Sequence, residues 1–374
     1  MIKYNEDKIQ KVYSGADDGF DPLHSLDLDK VTDFDELATE MKSTAFGGRA
    51  LGEAADILRE MVTDKDTFVV GTFSGAMTAA KMGLLICEMI DRGMINAMVS
   101  TGALMTHGMV EGLGMSHFKY KVDQMTDKEL REKGYDRIYD TLELEKNLDD
   151  LEGDIHAVLS KFEPGQTVSS HEINEKMGEY LISKLKPEQK SILKSAYKKN
   201  IPVYIPAFSD SEYGLDFALF NRLQKKTGKK SLVFDPFGDL EHFTSLFLKS
   251  KKAGIFTVGG GVPRNWAQQV APFLDLIRWR DKDGADPSKY FNIKDPWNQS
   301  EPYNRMYSYG VRICPEPAHW GGLSGCTYSE GSSWGKFMPV SRGGKYAEVI
   351  ADATIAWPVI LKAVMQRMDK AKKN

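Results

Sequence analysis

Apolar residues recur at helical spacing through Leu51–Val62 (LGEAADILREMV), which predicts an amphipathic helix. The pattern then changes. Thr67–Thr72 (TFVVGT) is a short run rich in β-branched residues, reads as a buried strand, and is followed by Ser74-Gly75. A helix is expected over Ala76–Arg92, and a second strand over Ile95–Ser100 that ends in Thr101-Gly102-Ala103. Lys121–Lys199 is polar and reads as helix-rich, with a break at Pro164-Gly165. Strands return at Ile201–Ala207, Ser231–Asp235 and Gly254–Val258, each followed by a turn cluster and a helical segment. Met306–Ile313 and Glu348–Ala351 are the last strand candidates. Residues 1–35 carry many aspartates and few apolar positions, so an acidic arm is expected ahead of one large domain over 36–374.

Strands alternating with helices argue for an α/β fold, with a central parallel sheet covered on both faces. In such sheets ligands bind beyond the carboxyl ends of the strands. The segments that follow each strand are therefore the ones to inspect: Thr72–Gly75, Ser100–Ala103, Ser209-Asp210, Asp235, Gly259–Gly261 and Asp352. They are small, hydroxylated, glycine-rich or acidic. Glycine permits close backbone approach, hydroxyls and amides suit phosphate, and a carboxylate suits a ribose or an amine.

Composition narrows the function classes. A net charge of −4 supplies no basic face for nucleic acid. Cys87, Cys314 and Cys326 are few and lack metal-ligand spacing, so a reduced, cytoplasmic protein is expected. The charged start MIKYNEDKIQ is not a secretory signal, and the most apolar stretch, Met82–Ile90, is too short to span a bilayer.

Each candidate has two readings. Gly259-Gly260-Gly261 could cradle a cofactor or be an ordinary strand-to-helix turn, and no GxGxxG fingerprint decides between them. The turns at Thr72–Gly75 and Ser100–Ala103 could bind phosphate or simply cap helices. Trp334-Gly335-Lys336 could hold a nucleophilic lysine against an aromatic wall, with Glu330 pairing an amine, or a surface lysine resting its stem on tryptophan. His107 and His319 lie nearest the site loops. Neither belongs to an HxxE or HxH pair, and no metal is expected.

Taken together, the segments FGGRAL, VVGTFSGAM, VSTGA, KELREKGYDRIYD, IPVYIPAFSDSEYGLD, FTVGGGV, SSWGKF and VIADATIAWP resemble the deoxyhypusine synthase family in order and spacing, from about Phe46 to Met368. The resemblance implies a Rossmann-like, NAD-binding fold and a homotetramer with sites at subunit interfaces. It implies transfer of the butylamine part of spermidine, through an imine on lysine, to an acceptor amine. That acceptor is a lysine of a translation factor precursor or, in close relatives, putrescine. Lys336 matches the nucleophile, and Trp334 and Glu330 match its substrate-contacting neighbours. Ser74, Gly75 and Thr78, then Thr101, Gly102 and Ala103, match the two cofactor turns. Asp210, Gly259, Gly260, Asp352 and Ala353 match further cofactor contacts. Asp216 matches a polyamine carboxylate, and Asp140 is a further candidate for holding a cation.

The chain also departs from the family pattern. Asn265 stands where the family carries a histidine, and Thr106-His107 replaces a paired glutamate. WGGLSG replaces an acidic loop, so a substrate aspartate becomes Leu323. The nicotinamide side is retained while the polyamine side has changed. Two further readings therefore stand beside transfer: an NAD-dependent amine oxidoreductase, and a catalytically impaired NAD-binding regulator.

Overall fold

The computed structural model describes Gly15 and residues 17–121, 123–280, 306–321 and 325–373. Buried β-branched runs become strands because their side chains fit a pleated surface covered on both sides. Eleven strands occur among the described residues: β1 (Thr67–Phe73), β2 (Ala97–Ser100), β3 (Phe118–Lys119), β4 (Tyr135–Ile138), β5 (Thr141–Leu144), β6 (Thr167–Val168), β7 (Val203–Tyr204), β8 (Val233–Phe234), β9 (Lys252–Val258), β10 (Tyr307–Ile313) and β11 (Lys345–Val349).

Six of them form one parallel sheet in the order β11-β10-β9-β1-β2-β7. Counting only these strands in chain order, from β7 across to β11, the sheet runs 3-2-1-4-5-6. The order of connection thus reverses between β1 and β9. Alternate side chains feed two cores. Val69, Phe73, Phe256 and Val258 point into one, with the long helices Phe46–Thr63 and Ala353–Lys373. Val70, Ile255, Ala97 and Val99 point into the other, with Phe243, Ala267, Tyr328 and Phe337. The chain is a mixed α/β domain built on a central parallel sheet, as the alternation predicts.

Several elements differ from expectation. The helix expected from Ala76 begins at Gly83, because residues 76–82 close into turns in which Lys81 takes a φ of 64°. The run at Ile201–Ala207 keeps only Val203–Tyr204 in the sheet; Pro202 and Pro206 have no N–H to give to a ladder. The run at Ser231–Asp235 leaves the main sheet and pairs with β6. The last strand spans Lys345–Val349, a few residues earlier than the Glu348–Ala351 reading. Within the polar stretch expected to be helical, β4 and β5 form a hairpin, with Tyr139 in a left-handed conformation at its turn, and β3, just ahead of that stretch, pairs with β5 to complete a small antiparallel sheet. At the amino-terminal side, Asp35 pairs with Arg367 and Lys370, so packing against the carboxyl-terminal helix has begun by that residue.

Candidate functional site

The carboxyl ends of β1, β2 and β9 meet in one crest. The Ser74 N–H donates to Val258 O at 3.1 Å, and its hydroxyl donates to Gly260 O. Gly259 takes a φ of 82°, and a Cβ there would sit 3.0 Å from Ser74 Cβ, so only glycine fits between the two strand ends. Gly75 is also left-handed, at 67°, with open space around its absent Cβ. Thr101 donates to Gly75 O at 2.6 Å and accepts from Leu104 N at 3.2 Å, which ties the second turn to the first and caps the helix Gly102–Gly112. Gly102 lies so close to Ser211 that a Cβ would collide with its hydroxyl, which places exposed Asp210 beside the same turn. Ala103 is half-buried in that first helical turn.

Asp352 accepts from Thr354 N and Oγ1 at 2.7 and 2.6 Å, and the Thr354 hydroxyl and amide hold its carboxyl below the usual range. Ala353 behind it is buried. Thr78 does not face the crest. It is fully buried and its hydroxyl donates to Leu104 O at 2.7 Å.

Lys336 is set by a short helix and a turn. Thr327 caps the helix Tyr328–Ser333 by accepting from Glu330 N at 3.0 Å. Gly335 turns the chain with a φ of 69°. Lys336 N then donates to Gly331 O, and Lys336 O accepts from Tyr307 N, both at 3.0 Å, so its backbone is stitched to the start of β10. The residue is only 8% exposed. Its Nζ donates to Asn265 Oδ1 at 3.1 Å and lies 6.0 Å from the centroid of the Trp334 ring. Burial lowers the pKa of this amine from its ordinary value; Cys326 and Glu330 oppose the shift and the Arg264 cation adds to it.

Arg264 was not singled out in the sequence. It is buried, its Nη1 donates to Cys326 O at 2.9 Å, and its guanidinium lies 5.4 Å over the Tyr328 ring. Among the described residues, its Nε and Nη2 find no acceptor. The only signal was a charged residue next to Asn265 in GGGVPRNW.

The structure thus brings Lys336, Asn265 and Trp334 together, with Glu330 exposed one helical turn away. Among the described residues, no hydrogen bond or ion pair links Asp216 or Asp140 to Lys336. Asp140 is exposed at the hairpin turn. Asp216 is half-buried on the helix Glu212–Lys226. Burial, with Glu152, Glu212 and Asp149 nearby, pushes its carboxyl up to about 7. His319 is exposed beside Trp320, and Leu323 lies outside the described residues. A separate cavity of about 240 Å³, lined by His171, Asn174, Tyr197 and His242, opens at the amino end of β7, away from the crest.

A family model described as "Deoxyhypusine synthase" matches residues 36–364. The "Probable deoxyhypusine synthase 2" of Methanosarcina acetivorans is 33% identical over 341 residues, which span 90% of this chain and 88% of that one. The protein of the same name from Archaeoglobus fulgidus is 33% identical over 320 residues, 86% of this chain and 94% of that one. A "Deoxyhypusine synthase-like protein" of Chlorobaculum parvum is 32% identical over 326 residues, 87% of this chain and 84% of that one. In fold, the chain is similar to the crystal structure described as a "putative deoxyhypusine synthase" from Entamoeba histolytica, at 15% identity and a TM-score of 0.55, over 92% of this chain and 97% of that one. No helix among the described residues is long and apolar enough to cross a membrane.

Proposed function

The chain belongs to the deoxyhypusine synthase family, and from that premise we propose that it moves the butylamine part of spermidine, through an imine on Lys336, to an acceptor amine, with NAD as cofactor. The observation that carries this reading is the state of Lys336: a buried amine whose pKa is lowered, held by a neutral amide oxygen 3.1 Å away. A lysine attacks carbon only as the free amine, and burial favours that form.

The crest fits a dinucleotide. Sheets of this strand order bind dinucleotides in the crevice where the order reverses. Here that crevice lies between β1 and β9, where Ser74, Gly259 and Gly260 meet. Gly75 and Gly259 leave the backbone open to close approach, Thr101 and Gly102 would flank it, and Asp210 and Asp352 offer carboxylates for ribose. This is the sense in which the fold is Rossmann-like. Bound there, NAD supplies reversible hydride chemistry with no net redox change over the cycle.

The remaining work falls to side chains. Once spermidine carries a protonated imine between its secondary nitrogen and the adjoining butyl carbon, Lys336 Nζ bonds to that carbon. The bond from that carbon to the departing nitrogen breaks, and the proton lost by Nζ leaves on diaminopropane. The acceptor amine then displaces Lys336 in the same manner, and the hydride taken from spermidine would return to the resulting imine carbon, leaving a saturated amine. Asn265 cannot take a proton at neutral pH; its carbonyl oxygen orients Nζ. Trp334 offers a ring face, and Glu330 a carboxylate, to the substrate's cationic end. Asp216 and Asp140 bear the remaining carboxylates, and a homotetramer would bring such separated halves together across a subunit interface.

The test is to incubate the protein with NAD, spermidine and either putrescine or a candidate precursor protein, trap with borohydride, and read products by mass. The wild type should carry an adduct on Lys336, and the product identifies the acceptor as putrescine or a protein lysine. Lys336→Arg keeps its proton at working pH, and should fold, form no adduct and lose transfer by on the order of 10³-fold or more. An adduct on another lysine, or wild-type transfer by the Arg variant, overturns the assignment. Net accumulation of NADH with spermidine alone would indicate the plain oxidoreductase.

A further inference from the structure

We propose that His107, His117 and Glu143 form a binding site for one divalent transition-metal ion of the zinc class. His107 lies in the helix Gly102–Gly112, His117 just beyond it, and Glu143 on β5. Sequence spacing does not announce the set, because the third ligand arrives 26 residues after the second, from the small antiparallel sheet.

The three ligand atoms converge. His117 Nε2 is 2.7 Å and His107 Nδ1 is 3.1 Å from Glu143 Oε2, and the two ring nitrogens are 3.3 Å apart. Two imidazoles and a carboxylate are a common zinc ligand set, and atoms about 2.0–2.1 Å from a tetrahedral ion lie about 3.3–3.4 Å from one another. The nitrogen–nitrogen edge already has that length. The His107 edge to Oε2 needs to open by about 0.2–0.3 Å and the His117 edge by about 0.6–0.7 Å, within reach of a side-chain adjustment.

The surroundings orient the carboxylate. Glu143 is fully buried, and its other oxygen, Oε1, accepts from Asn147 Nδ2 at 2.7 Å and from Leu144 N at 3.0 Å. Oε2 is left to face the two rings, in the way that outer hydrogen bonds commonly aim a metal ligand. Asp136 stands opposite Glu143 in the β4–β5 register, on the same face, and adds negative charge. Lys81 Nζ lies 2.9 Å from His117 Nδ1 and 3.6 Å from Glu111 Oε1. Metal on Nε2 places the ring proton on Nδ1, so the exposed Lys81 ammonium turns toward Glu111. Without an ion, two ring nitrogens compete for one carboxylate oxygen. An ion takes a lone pair from all three atoms at once and neutralises a buried anion. Three protein ligands leave a fourth position for water. The ion ties the small sheet to the helix that starts at the Thr101 turn of the crest; a three-stranded sheet this short has little stability of its own.

The experiment uses the full chain without a histidine tag, stripped with chelator, then titrated with zinc chloride and, in parallel, cobalt chloride. Elemental analysis after dialysis, cobalt d–d absorption and thermal melting are read, and none depends on transferase activity. We expect about one ion per chain and a zinc-dependent rise in Tm that chelator reverses. Glu143→Gln preserves volume and the Oε1 contacts, and His107→Gln removes one nitrogen; each should weaken zinc binding by about tenfold to a hundredfold or more. Wild-type protein that shows neither stoichiometric metal nor a Tm shift at about 100 µM zinc overturns the proposal. So does binding that both variants retain, or that is lost instead on His242→Gln in the distant cavity. The wild-type titration decides even where a variant does not fold.

Discussion

Nζ of Lys336 and Oδ1 of Asn265 lie 3.1 Å apart, so the buried amine is held by a neutral acceptor rather than by a carboxylate. A carboxylate at that distance would stabilise the ammonium and keep it protonated; an amide oxygen orients it without that penalty on the free amine.

The first prediction concerns Arg264. Burial, opposed by Cys326 and helped by the Arg264 cation, lowers the Lys336 pKa. Arg264→Gln removes the repulsion, so that pKa rises and the pH–rate profile for aminobutyl transfer moves to higher pH. A purely structural defect would lower the rate equally at every pH. Linkage has a definite sign here. Between the lowered pKa and the ordinary value the unfolded chain binds more protons, so the wild type gains stability as pH rises through that window. Thermal melts of Lys336→Met should show a flatter dependence over the same range.

Asn265 provides a second, two-sided prediction. Asn265→His introduces a base with an ordinary pKa near 6.5, so transfer should speed up and acquire a new inflection at about pH 6–7. Asn265→Asp is nearly isosteric but anionic. It should raise the Lys336 pKa and slow transfer at neutral pH by on the order of tenfold or more. Equal rates for the Asp and His variants across the pH range would show that Asn265 has no bearing on the amine.

Gly259 is predicted to be irreplaceable at the crest. Gly259→Ala forces a left-handed φ of 82° on a residue with a Cβ and drives that atom to 3.0 Å from Ser74 Cβ. The strain should cost about 1–2 kcal/mol in a denaturant titration, and NAD affinity should fall with it in calorimetry. Gly343→Ala, also left-handed but with nothing near its absent Cβ, serves as the comparison. It should lose stability while leaving NAD binding unchanged.

Asp216 should reveal a conflict between stability and substrate. Burial first, then Glu152, Glu212 and Asp149, pushes its carboxyl up to about 7. The folded state therefore holds this proton more tightly than the unfolded chain, and stability falls as pH rises from the ordinary carboxylate range through about 7. Asp216→Asn removes that loss. Its Tm should exceed the wild type's above this pH and match it near pH 4. If Asp216 holds a spermidine ammonium, the same variant binds spermidine more weakly by calorimetry. Unchanged affinity would exclude it from the polyamine site.

Much of the site was written locally. A buried parallel strand needs only a contiguous β-branched run and a turn, so β1, β9 and β10 and the small residues after them could be read by eye. The lysine in SSWGKF was visible for the same reason, since residue type and neighbours lie side by side in the chain. What the sequence could not decide is who meets whom. Asn265 reaches Lys336 across 71 residues, and Arg264 reaches Cys326 across 62. β8 carries the pattern of a sheet strand yet pairs with β6, because local propensity specifies an extended conformation and leaves its partner open. The hairpin of β4 and β5 was hidden in a polar stretch, and with it the approach of Glu143 to His107 and His117. The reversal of strand order between β1 and β9, which sets Ser74 against Gly259 and Gly260, likewise exists only once the sheet is assembled. Local sequence sets burial and backbone preference over a few residues; long-range pairing depends on how whole faces fit together, and that is decided by the folded chain as a unit.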